Sequence, residues 1–178
     1  MIYKNLLISF VFLFAIGCSS TNTIPEPNFE QTTVQSEPTC LSWKWYSPFF
    51  CYSGKANSVE LRGTVSNNTG DKQFFLDYFL DSFDTDFPVG VAIKIDSTYY
   101  LLRKSQTDFS NTLLIRSEMS DEVISKLKGS SSSILLSYSN RSHTYNYQLS
   151  SGEAESLRKN AREVFDKLNS ASKMKIVK

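Results

Sequence analysis

Along residues 58–66 the chain alternates, with Val59, Leu61 and Val65 separated by polar neighbours. A period of two predicts a strand with one buried face. Asn67-Asn68-Thr69-Gly70-Asp71 is a turn cluster. Residues 73–83 are dense in Phe, Leu and Tyr; Phe75, Asp77, Phe79 and Asp81 alternate with Phe74, Leu76, Tyr78 and Leu80. After Pro88, the series Val89, Val91, Ile93, Ile95 predicts another strand. Asp96-Ser97 makes its turn and residues 99–104 its hairpin partner. Residues 113–116 predict a further short strand.

The period then changes. Ser120 is a good N-cap, Asp121 and Glu122 suit the positive end of a helix, and Met119 with Ile124 fits a hydrophobic staple. Lys126 and Lys128 fall in the last turn, where Gly129 is expected to take a left-handed cap. A serine run, 130–133, reads as a linker. Residues 134–139 and 143–149 predict two strands around a turn at Asn140-Arg141. Ser150-Ser151-Gly152-Glu153 has capping-box spacing. Beyond it, Ala154, Leu157, Ala161, Val164, Phe165 and Leu168 form one helical stripe. Runs of strands with helices set apart from them predict an α+β domain over residues 40–168, mainly antiparallel and sandwich-like, with one short helix and a C-terminal amphipathic helix. Residues 169–178 are expected to be a basic, flexible tail.

The first residues follow a different logic. Lys4 precedes an apolar run over 6–16, broken only by Ser9. Eleven helical residues reach about 17 Å, short of the roughly 30 Å of a hydrocarbon core. The segment reads as an export signal over residues 1–17. Ala15-Ile16-Gly17-Cys18 resembles the lipobox of bacterial lipoproteins. The resemblance implies acylation of the Cys18 sulfur and removal of everything before it. Ser19 in place of Asp implies an outer-membrane destination. Residues 18–39 hold three of the chain's five prolines and few apolar side chains; they are expected to be a lipid anchor and disordered tether, with a reach of about 25 Å.

Three cysteines are present. With Cys18 lipidated, Cys40 and Cys51 have only each other in an oxidising compartment, and a disulfide is expected. Between them lies an aromatic segment. Trp43, Trp45, Tyr46, Phe49 and Phe50 are read either as a core strand pinned by the disulfide or as a binding face for a glycan or protein.

Composition narrows the chemistry. Nineteen basic against eighteen acidic residues leave a net charge of +1. That balance excludes the broad basic footprint of a nucleic-acid binder. A single histidine excludes a multi-histidine metal centre. His143 shares a strand face with Tyr145 and Tyr147, and no nucleophile elbow accompanies it, so it reads as an ordinary sheet residue. Asp81, Asp84 and Asp86 offer oxygens to a hard cation. They lack the glycine and distal glutamate of an EF-hand loop and read as a solvated turn. No cofactor is expected.

The stretch Gly90-Val-Ala-Ile-Lys-Ile95, and residues 119–129 followed by 134–138, resemble the periplasmic β-sandwich proteins called invasion-associated locus B. The resemblance carries no catalytic residues and implies an envelope binding or accessory role. The expectation is therefore a non-enzymatic binding or envelope-assembly module, held to the membrane by its lipid and facing the periplasm. A cell-envelope hydrolase, and an inhibitor or secretion-pilot lipoprotein, are the alternatives.

Overall fold

The structure, a computed structural model, describes residues 22–25, 31–41, 51–81, 86–110, 112–131 and 133–173. Cys18 and its lipobox, Trp43, Trp45, Tyr46, Phe49, Phe50 and Asp84 lie outside the described residues. The strands are β1 (Asn22–Pro25), β2 (Gln31–Gln35), β3 (Thr39–Cys40), β4 (Ser58–Ser66), β5 (Lys72–Asp81), β6 (Pro88–Ile95), β7 (Thr98–Phe109), β8 (Thr112–Met119), β9 (Ile134–Asn140) and β10 (Thr144–Gln148). Helix α1 (Asp121–Gly129) follows β8, and α2 (Ser151–Lys173) follows β10.

All pairings are antiparallel, in the order β1-β2-β4-β5-β8-β7-β6-β9-β10, with β3 on β4 beyond the end of β2. The long strand β7 joins two sheet regions. Its residues 98–102 pair with β6, and its residues 103–109 pair with β8. Between Lys104 and Gln106 the register slips by one residue. A bulge of this kind bends a strand and re-aims its side chains. It falls where β7 passes from one region to the other.

The alternation read from the sequence is the burial pattern. Leu61, Leu76, Ile93, Ile115, Ile134 and Leu136 are completely or almost completely buried in one continuous core. Helix α2 completes that core with Leu157, Val164 and Leu168. The capping box is formed: Ser150 N–H donates to Glu153 Oε2 (2.7 Å), and Glu153 N–H donates to Ser150 Oγ (3.4 Å). Ser120 caps α1 by accepting from Val123 N–H.

The opposite face of β4, β5 and β8 carries charge. Asp77 is fully buried and takes a bidentate bond from Arg116, Nε to Oδ1 at 2.7 Å and Nη2 to Oδ2 at 2.8 Å. Arg62 Nε approaches Asp77 Oδ2 at 3.3 Å, and its Nη2 donates to Gln35 Oε1 at 3.0 Å. Glu60, also fully buried, accepts from Ser53 Oγ (3.0 Å), Gly54 N–H (2.7 Å) and the Gln35 amide. The two guanidiniums compensate the buried Asp77 carboxylate, and three neutral donors satisfy that of Glu60, so neither charge is left alone in the interior.

Four expectations are corrected. Residues 18–39 are not all tether: β1, β2 and Thr39 of β3 are strands, and Thr33 and Val34 are buried. Thr32-Thr33-Val34 is a β-branched run too short to show a period, and β4 supplies the partner that the local sequence lacks. Residues 169–173 are not tail but the last turns of α2, where Asn169 Oδ1 accepts from Lys72 Nζ and Ala171 packs against the core. Strands β7 and β8 extend past 99–104 and 113–116, because their later residues pair with each other. Gly129 does not take a left-handed cap. Ser130, in extended conformation, donates its N–H to the Lys126 carbonyl and ends α1 without one.

Candidate functional site

Three segments far apart in sequence enclose an open cleft of about 660 Å³. The β4–β5 turn gives Gly70 and Asp71, α1 gives Asp121, Ile124, Ser125 and Lys128, and α2 gives Phe165 and Asn169. The floor is apolar: the Phe74 and Phe165 rings stack with centroids 5.9 Å apart and planes 17° from parallel, beside buried Ile124. Local rules put each residue there. Phe74 is the third residue of the alternating β5 and points inward; Phe165 sits at the margin of the α2 stripe and is only partly covered.

The rim is polar and mixed in sign. Lys128 Nζ stands 3.1 Å above the Phe165 ring centroid, an attraction between a cation and the negative face of the ring. Lys72 is held by Asn169, and Asp71 accepts from Thr69 Oγ1 at 2.6 Å. An apolar floor under a few polar rim groups is the general make-up of a binding cleft.

A second surface is the free side of β10, whose one neighbour among the described strands is β9. Asn140 N–H donates to the His143 carbonyl, and Leu149 N–H to that of Ile134. By the alternation of an antiparallel ladder, Tyr145 and Tyr147 bond to β9, while the backbone groups of Thr144, Asn146 and Gln148 face outward. The strand has no charge, no proline and no register shift. Those are the devices by which natural sheets blunt their edges.

Cys40 and Cys51 form the disulfide, with Cα atoms 5.9 Å apart. His143 is exposed in the β9–β10 turn, where its N–H donates to Asn140 Oδ1 at 2.7 Å and its ring lies 6.1 Å from that of Tyr145. Asp86 is half-buried, and the side chains of Asp81 and Asp84 lie outside the described residues. Among the described residues no three His, Cys, Asp or Glu side chains gather as a metal site would require, and no helix is long and apolar enough to cross a membrane. The cleft has no signature in the sequence, where Phe165 belongs to the α2 stripe and Phe74 to the alternation of β5. No local signal links residues 70–74, 121–128 and 165–169.

Tyr78 lies in the core. Burial first, and the neighbouring Tyr147 second, push its phenol up to about 12. Tyr147 in turn donates to Glu153 Oε1 at 2.9 Å.

These features define an α+β sandwich-like protein with an aromatic-floored cleft and an open sheet edge. No family model, no curated protein and no solved structure matches the chain.

Proposed function

We propose that this chain is an outer-membrane-anchored lipoprotein, facing the periplasm, that acts as a non-enzymatic binding or envelope-assembly module. Cys18 carries the lipid, and the cleft floored by Phe74 and Phe165 receives an extended segment of an envelope protein. The observation that carries this reading is the cleft itself, in which a stacked aromatic floor lies under rim charges of both signs. The core of the described residues is packed with aliphatic and aromatic side chains. The bare edge of β10 favours strand addition as a second mode of assembly, because main-chain bonds at Thr144, Asn146 and Gln148 need only another strand.

A photo-crosslinking residue at Ser125, on the rim, tests the cleft in living cells. A discrete crosslinked product that disappears when Phe165→Ala and Lys128→Glu are added supports it. A crosslink pattern unchanged by those substitutions moves recognition elsewhere. Hydrolysis of purified cell wall by the protein, lost in Asp71→Asn or Asp121→Asn, would favour the hydrolase instead.

A further inference from the structure

The short distance between the lipid and the first strand determines which end of the domain meets the membrane. This step rests on the lipoprotein reading above. Strand β1 begins at Asn22, four residues after Cys18. Four residues span at most about 14 Å even when fully extended. The domain is therefore held against the bilayer and does not hang from a long tether.

The direction of β1 selects the surface. Asn22 pairs with Gln35 and Pro25 with Thr32. Thr32 Oγ1 bonds Asn67 in the β4–β5 turn at 3.0 Å. Running backwards, β1 thus leads away from that turn and leaves the sheet beside Gln35. The Gln35 amide reaches Ser53 Oγ at 3.1 Å. Ser53 and Gly54 are gripped by Glu60, and Cys51 is bonded to Cys40, so this end is rigidly built.

Exposed apolar side chains occur on both sides of the domain, Tyr99 and Leu101 lying on the side of α1. The path of β1 decides between them, and the side it leads to carries groups suited to a lipid surface. Tyr52 is 63% exposed beside Ser53, and Lys55 is half-buried two residues beyond Ser53. An exposed tyrosine is at home among lipid headgroups, where its ring and its hydroxyl both find partners. A nearby lysine is drawn to anionic lipid. The β4–β5 turn, Asn67-Asn68-Thr69-Gly70-Asp71, lies at the other end of β4, about 27 Å along its nine residues.

We infer that the end of the sandwich carrying Tyr52, Ser53 and Lys55 rests on the phospholipid headgroups, and that the β4–β5 turn, with the cleft beside it, points away from the membrane. The cleft is then presented to the periplasm at the full height of the domain.

The test uses the mature lipidated protein, isotope-labelled, in nanodiscs of phosphatidylethanolamine and phosphatidylglycerol doped with a gadolinium-chelating lipid. Backbone amide signals of residues 52–55 should lose most of their intensity, while those of Gly70 and Asp71 keep theirs. Equal attenuation at the two ends, stronger attenuation at Gly70 and Asp71, or none at either end overturns the orientation. Intact mass of the same sample separates the two failures. A missing acyl mass defeats the lipoprotein reading and this inference with it; an acylated protein without the differential attenuation defeats the orientation alone.

Discussion

Gly63 of β4 lies directly under Leu168 of α2. A methyl group at position 63 would collide with Leu168 Cδ1 and come within 2.9 Å of Val164 Cγ1. The helix is thus seated on bare backbone at this point, and the absent side chain sets how closely α2 approaches the sheet. Gly63→Ala should cost about 1–3 kcal/mol by overpacking, read as a lower urea midpoint at unchanged slope. Adding Leu168→Ala should cost less than its effect in the native background, because the two changes share one space. A Gly63→Ala protein as stable as the parent would contradict this packing.

Asp77 should be the most sensitive charged position. It is completely buried between Arg62 and Arg116. Asp77→Asn leaves two guanidiniums facing a neutral group, and removing one partner of a buried pair costs about 3–5 kcal/mol. The arginines keep some contact with water, so the lower figure is expected. The contrasting pair is Arg103–Glu118, in which Arg103 is 84% exposed; Arg103→Ala should cost at most about 1 kcal/mol. Chemical denaturation of both variants checks the contrast, and equal losses would contradict it.

Much of the fold was legible because its signals are local. Val59, Leu61 and Val65 share a face, and so do Val91, Ile93 and Ile95; both alternations appear in the structure as buried rows. The α2 stripe and the Ser150–Glu153 box needed only spacing and side-chain chemistry. What escaped depends on distant partners. Strand β2 exists because β4 offers it a ladder, and the second half of β7 because β8 does. The cleft escaped for the same reason: Phe74 and Phe165, ninety-one residues apart, become a floor only when α2 lies across the sheet. The Cys40–Cys51 pairing was legible because reading Cys18 as the acylation site leaves a single choice.

Tyr78 predicts a specific alkaline weakness. Its folded-state value is raised from 10.0 to about 12. Below pH 10 both the folded and the unfolded states hold the proton, and its contribution to stability is complete. Between about 10 and 12 the unfolded chain loses the proton while the folded protein keeps it, so stability falls as pH rises, by about 2–3 kcal/mol across the window. Tyr78→Phe removes this titration. The drop in urea midpoint from pH 8 to pH 11 should be smaller in the variant than in the parent; an equal drop would place the alkaline weakness elsewhere.

The proposed place of this protein at the membrane depends on the anchor at Cys18. Cells fed an alkyne analogue of palmitate and expressing this protein should yield a labelled band, and Cys18→Ser should yield none while the protein is still made. An unlabelled parent protein, or label retained in Cys18→Ser, would contradict the assignment of this chain to the membrane.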